Sequence, residues 1–388
     1  MTGRGITVAV VGLGFGQDFV PIYLSHPHVA NVVLVEPDAA RRHKVAARFG
    51  LDDGYANIAD ALADSAVDAL HILAPVFLHA DMVVRALDAG KHVACAVPMA
   101  TTLEDLNRII AAQERSGTNY MMMETTVFAR EYLLVDDLYR KGEFGDLTLY
   151  RGFHIQNLDG FPVYWQGYPP MHYLTHALSP ILSLLDTTVD SVHCLGAGRL
   201  PPERMTGGFD NTFPTEVGLF TLRSSDVVAD ITMSFFQTAR SYIEGFALYG
   251  GRLGIEWPQD NEGDLTLFSM SEPQGGGRGN HIETSSHSPR DYPERLPEAL
   301  GRFTRESEVQ LPGMPAPAPV GAHHGGSHPF LVHEFVSSIV EGRSPLIDAR
   351  RSASWTAPGI CAHQSALAGG AEVQVPDYSA PASSSRSI

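Results

Sequence analysis

Cysteine is scarce in this chain of 388 residues: Cys95, Cys194 and Cys361 are odd in number and far apart, which excludes a disulfide framework and a cysteine-based zinc signature. Basic charge is scarce too. Lysine and arginine total 27 against 44 acidic residues, a formal net charge of −17. That balance argues against nucleic acid or an anionic membrane surface as partner, and still permits a local pocket for a charged small molecule. No apolar run is long enough to span a bilayer. The opening MTGRGITVAVV enters the first strand directly, so no signal peptide is expected and the cytoplasm is the expected compartment. No solenoid-type repeat and no HExxH pair is present. The length suits two domains with substantial cores and a small molecule as partner.

The stretch Thr7 to Asp38 organises what is there. Residues 8–11 are a short apolar run, as in a strand buried on both faces of a parallel sheet, and Gly12, Gly14 and Gly16 follow at once. Glycine there admits positive φ and lets a pyrophosphate approach the backbone N–H groups that open the next helix. Residues 32–35 form the next strand, and Glu36 stands 24 residues beyond Gly12, where a carboxylate binds an adenosine ribose hydroxyl. This is the pattern of a dinucleotide site. Gln17 occupies the third glycine position of G-x-G-x-x-G, which predicts a helix held slightly further from the sheet. Glu36 favours NAD over NADP by repelling a 2′-phosphate, an effect that Arg41 and Arg42 partly offset.

Helices are expected over 39–49 and 58–64, and strands over 67–73, 93–96 and 120–124. Pro75, at the carboxyl end of the third strand, stops the ladder and turns the chain across the cofactor crevice. Thr101 and Glu104 read as a capping box for the helix that runs to about residue 115.

The run 86–102, ALDAGKHVACAVPMATT, strongly resembles the oxidoreductases named after glucose-fructose oxidoreductase, inositol dehydrogenase and a rhizopine catabolism protein (the Gfo/Idh/MocA superfamily), and the similarity extends through both domains. The family's strand normally ends in Glu-Lys-Pro, with the lysine assisting proton transfer from a substrate hydroxyl. Here Ala96, Val97 and Pro98 stand there, and a valine moves no proton. Val-Pro, the run 120–124 (YMMME) and the later HYLTHALSP look like the superfamily's NAD-dependent glycosidase branch. Such enzymes hold NAD tightly, oxidise a sugar at C3, eliminate the aglycone after proton loss at C2, add water and reduce the ketone again. Oxidation acidifies the C2 proton, so a histidine or carboxylate suffices as base. The resemblance implies cofactor contacts from Gly12, Gly14, Phe15, Gly16 and Gln17 at the turn, Glu36 and Arg41 at the ribose, Ala74, Pro75 and His79 after the third strand, and Ala96 and Val97 after the fourth.

A helix over 128–142 leads into alternating runs from 146, at 215–222, 227–235, 244–249 and 264–269, with a hairpin at 250–256. These predict an open, mainly antiparallel sheet with one face buried. The fold class is therefore an α/β Rossmann domain over 1–126, an α+β substrate-binding and oligomerisation domain over 127–378, and a disordered tail over 379–388. Glu124 reads either as a site carboxylate or as a strand end hydrogen-bonded to the next turn. His154 lies where the resembled glycosidases place a tyrosine near the sugar, and reads as acid, base, sugar contact or plain core histidine. Tyr164, Trp165 and Tyr168 suit sugar faces, a packed lid or a subunit contact. His172 and His176, four apart, are expected to project from one helix face.

His176 is the family histidine retained, and with lysine absent it becomes the leading base for the hydroxyl proton. His154 or Glu124 then takes the C2 proton, and His172 or Tyr173 orients the sugar or assists the leaving group. A metal held by the histidine pair is the weaker alternative, and no metal is expected. Residues 271–327 are a glycine-, proline- and serine-rich excursion over the surface, and by resemblance the 323–329 segment borders the sugar pocket. The expected partners are a sugar or glycoside and further copies of the chain, as a homodimer or homotetramer. A net NAD-dependent sugar or cyclitol dehydrogenase and a silent NAD- and sugar-binding protein are the competing functions.

Overall fold

The computed structural model describes residues 5–260, 263–271 and 279–379; the expected tail beyond 379 lies outside them. Two compact units form: Met1–Arg130 with Asp291–Ala353, and Glu131–Arg290 with Ser354–Ile388. The chain therefore returns to its first unit after the second has begun. Division at 126 into successive halves does not capture this, because Asn119 Nδ2 donates to Arg343 O at 2.8 Å and Met122 N donates to Ile347 O at 3.1 Å, tying the late segment to the first sheet's edge.

The first unit holds a parallel sheet of β1 (Ile6–Val11), β2 (Val29–Val35), β3 (Ala69–Ile72), β4 (His92–Cys95) and β5 (Tyr120–Met122), in the order 2-1-3-4-5. Strand order reverses between β1 and β3, and the crevice outside the carboxyl ends of such strands is where α/β sheets bind ligands. The glycine turn leaves β1 there, and the Ala74–Pro75 loop leaves β3. The helix Leu103–Ser116 is capped one residue later than expected: Thr102 Oγ1, not Thr101, accepts from Asp105 N at 3.1 Å.

The second unit is a nine-stranded sheet of β6 (Leu147–Ile155), β7 (Val189–Ala197), β8 (Thr215–Leu222), β9 (Val228–Ser234), β10 (Ile243–Gly250), β11 (Leu253–Glu256), β12 (Leu265–Met270), β13 (Ile282–His287) and β16 (Val373–Gln374). Its order is 13-12-11-10-6-9-8-7-16, antiparallel except between β6 and β9, and open at both ends. Strands β14 (Ser307–Val309) and β15 (Ala318–Val320) make a separate small pair in the first unit. The excursion 271–327 thus carries strands that its composition does not announce. On β6, Tyr150, Gly152 and His154 face the buried side, under the helix Thr175–Leu184, while Arg151 faces a shallow hollow on the opposite side with Asp230, Glu256 and Trp257.

Candidate functional site

The nucleotide turn rests on three glycines doing different things. Gly12 has φ +88°, and a Cβ on it would stand 2.7 Å from Leu73 O; glycine alone lets the ends of β1 and β3 lie this close. A Cβ on Gly14 would meet nothing within 4 Å, so the side chain is absent for the sake of open space, the cradle that a pyrophosphate requires. A Cβ on Gly16 would lie 3.1 Å from Val10 Cγ1 and 3.2 Å from Leu73 Cδ1. Gly16 therefore supplies the close packing on the sheet usually given by the third glycine, which corrects the expected stand-off at Gln17. Gln17 Nε2 instead donates to Gly14 O at 3.0 Å. Phe15 stays 43 % exposed and packs edge-on against Phe19 and His328. That contact places the 323–329 segment beside the glycine turn.

Glu36 is buried, its Oε2 accepting from Leu13 N at 2.9 Å and its Oε1 from Asp38 N at 3.1 Å, with Arg41 Nη1 3.4 Å from Oε2. The acid thus lies on the glycine loop, where a ribose-binding carboxylate belongs. Arg42 is committed elsewhere, to Asp53 at 3.0 Å and to Glu36 O at 2.6 Å. Ala74, Pro75 and Ala96 are half-buried at their strand ends and Val97 is buried. These residues fit a dinucleotide.

His79 is different from what was expected. It is fully buried, Nδ1 lying 2.9 Å from Pro98 O and Nε2 2.9 Å from Ala74 O. It braces the loops after β3 and β4, so its expected cofactor contact is replaced by a structural one. Burial lowers its basicity, against the opposing pull of the two carbonyls. Glu124 is also buried, Oε1 accepting from Thr126 N at 2.9 Å in the turn that follows β5.

In the second unit the predicted catalytic histidines meet. A Cβ on Gly152 would be 2.1 Å from Ala177 O, and Tyr150 OH donates to that carbonyl at 2.6 Å. The helix Thr175–Leu184 therefore lies directly on β6. His176, one residue before Ala177, comes to 5.5 Å from His154 between ring centroids, and Tyr173 lies 5.2 Å from His176 and 5.6 Å from His154. Glu244, not anticipated, completes the group: its Oε2 stands 3.6 Å from His176 Nδ1 and accepts from Tyr242 OH at 2.6 Å. Phe235 and Tyr242 wall the His154 ring at 5.3 and 5.1 Å. His154, His176 and Glu244 are 0, 3 and 7 % exposed. The signal for Glu244 was available, since a lone carboxylate on the buried face of an apolar strand calls for a partner.

His172 does not join them. Residues 170–173 form a 3₁₀ turn and the α-helix starts at Thr175, so the i, i+4 rule for one α-helix face does not apply across the junction. Tyr173 takes that side, while the ring of His172 turns to His363 at 5.1 Å. His363 Nδ1 lies 2.7 Å from Glu216 Oε1 and Nε2 3.0 Å from Asp210 O. Burial opposes a charge on His363, but the hydrogen bond and charge of Glu216 raise its pKa on balance. Burial, and then the neighbouring His363, push His172 down to about 3. Tyr168, read as sugar face, packed lid or subunit contact, is buried against Trp165 and Phe209.

Comparison with known proteins bears on the nucleotide half and on the fold. Residues 6–124 match the oxidoreductase family with an NAD-binding Rossmann fold. A glycosyl hydrolase family 109 protein of Streptomyces niveus is 24 % identical over 96 % of this chain and 77 % of its own length. An uncharacterized oxidoreductase of Rhizobium meliloti is 31 % identical over 37 % of this chain, which covers 43 % of that relative. Among solved structures, a levoglucosan dehydrogenase with NADH and levoglucosan superposes at a TM-score of 0.75 with 18 % identity, over 96 % of this chain and 100 % of that one. Scyllo-inositol dehydrogenase from Lactobacillus casei, with NAD(H) and scyllo-inositol, gives 0.68 with 16 % identity over 96 % and 99 %. The structural likenesses bear on the fold alone. Sequence match and fold point the same way: residues 6–124 are similar to the NAD-binding Rossmann domain of the Gfo/Idh/MocA oxidoreductases, and the whole chain has a fold similar to that of the solved dehydrogenases.

Proposed function

We propose that this protein cleaves glycosides by transient oxidation at C3, elimination across C2, water addition and re-reduction, with no net consumption of NAD. The observation that carries the reading is the buried group of His154, Tyr173, His176 and Glu244 in a chain with Val97 where the dehydrogenases have lysine. Relatives named glycosyl hydrolase family 109 proteins support the same choice. The glycine turn and Glu36 would hold NAD tightly, and the bound nicotinamide would supply a reversible hydride acceptor. His176 accepts the hydroxyl proton, and Glu244 beside it offers negative charge to the imidazolium that forms. His154 takes the C2 proton once the ketone has acidified it, and Tyr173 orients the sugar. Glu124 and His172 keep structural parts. The outward residues Leu195, Val217 and Leu219, at 60, 39 and 52 % exposure, leave apolar surface on the second unit's sheet, which supports self-association.

Aryl and alkyl glycosides incubated with the NAD-loaded protein in D₂O test the proposal. Released aglycone, deuterium at C2 and no lasting NADH absorbance are expected. Stoichiometric NADH with the glycosidic bond intact would establish the dehydrogenase instead, and binding without turnover or exchange would establish the silent protein.

A further inference from the structure

We infer that His154, His176 and Glu244 form a binding site for one first-row divalent cation of the zinc type. One ligand atom from each residue lies within 4.8 Å of the other two. Donors around a four-coordinate zinc at about 2.0–2.2 Å stand roughly 3.4 Å apart. The edge between His176 Nδ1 and Glu244 Oε2, 3.6 Å, is close to that length, and the other two are no longer than 4.8 Å. Two imidazoles and a carboxylate with the fourth position left to an oxygen is the donor set of catalytic rather than structural zinc, and the nitrogen donors select it over calcium or magnesium.

The surroundings are those of orienting partners. Tyr242 OH donates to Glu244 Oε2 at 2.6 Å, fixing the carboxylate, and Gln156 Oε1 lies 3.4 Å from His154 Nε2, where it orients the ring. The three ligands come from two adjacent strands and the helix fastened to them by Tyr150 and Gly152, so their spacing is set by the fold. A cation here uses the lone pair that His176 needs to accept a proton. Resting on the glycosidase reading, this makes the cation-bound protein the inactive form.

Cobalt(II) is the probe, added to the full-length protein after treatment with chelator. One equivalent is expected to bind, with the intense visible absorption of a four- or five-coordinate site, and zinc is expected to displace it. Affinity should fall at least tenfold in His154→Asn and Glu244→Gln, and on the order of tenfold in Tyr242→Phe, while the circular dichroism spectrum, which reports the fold of both units, is unchanged. Absence of stoichiometric binding to the parent protein, or undiminished binding in both ligand variants, would overturn the inference. Turnover is a separate readout. Loss of glycoside cleavage on adding zinc, reversed by chelator, supports the inactive form; cleavage that rises with zinc upholds the site and removes His176 as free base. Metal binding by a protein that, metal-free and NAD-loaded, cleaves no glycoside upholds the site and defeats the glycosidase reading alone.

Discussion

His154 and Glu244 face each other directly across adjacent antiparallel strands, as register partners on β6 and β10, both buried. Residues opposite one another in such a pair have Cβ atoms about 5 Å apart, so the sheet itself brings imidazole and carboxylate together before the helix adds His176. Glu244→Gln keeps the shape and the Tyr242 contact but removes the charge beside His176. The expected result is a fall in kcat of about 10²-fold or more, with His176→Ala at least as severe and KM changed less. Full-rate cleavage by His176→Ala would remove that histidine from the chemistry.

Gly152 has a stricter task. Alanine there would place a carbon 2.1 Å from Ala177 O, forcing the helix off the strand and stretching the Tyr150 hydrogen bond. Overpacking of this kind costs about 1–3 kcal/mol. Gly152→Ala should therefore lower the midpoint of denaturant unfolding and also lose activity out of proportion, because His176 moves away from His154. Tyr150→Phe removes only the hydrogen bond, worth about 1 kcal/mol, and should leave more activity behind.

The nucleotide half was legible because each of its signals is local: an apolar strand, glycines in the turn that follows, an acid at the end of the next strand. The second unit was legible as an alternating sheet, which is enough to place β6 and β8. Its site was only partly so. His154 and His176 could be named, and Glu244 could be seen to need a partner, but which partner depends on the register that sets it opposite His154, 90 positions away, and a single sequence does not print register. His172 was misplaced for a physical reason, the 3₁₀ turn that ends before the α-helix begins. Strand β13 escaped because its residues, IETSSH, are exposed on both faces and carry no alternation.

Acid should unfold this protein through its buried histidines. His71 and His172 are each pushed down to about 3, chiefly by burial. The unfolded chain binds their protons near pH 6.5 and the folded chain refuses them. Their contribution is intact above about 6.5 and is lost progressively as the pH falls towards about 3. His363 works in the other direction. Its raised pKa makes its contribution complete below the unfolded value and lost as the pH rises through the folded one. Thermal melts across pH should show a steep acid limb that His71→Gln makes shallower, and His363→Gln should flatten the alkaline side. An acid limb unchanged by His71→Gln would exclude that residue as a cause.

The glycine turn separates folding from binding within three residues. Gly14 borders open space, a Cβ there meeting no atom within 4 Å, so Gly14→Val should fold with little change in melting temperature. Its side chain would occupy the volume that a pyrophosphate needs, and NAD affinity should fall by on the order of 10²-fold or more. Gly12→Ala strikes Leu73 O and must also hold φ +88°, so it should lose stability by about 1–3 kcal/mol. Glu36→Ala takes away the carboxylate that accepts from Leu13 N and that repels a 2′-phosphate. With Arg41 left in place, NADP affinity should rise relative to NAD. Calorimetric titration of both nucleotides against the three variants and the parent distinguishes these outcomes. A Gly14→Val protein that kept the parent's NAD affinity would mean that the pyrophosphate does not pass over this turn, and the cofactor assignment would fail with it.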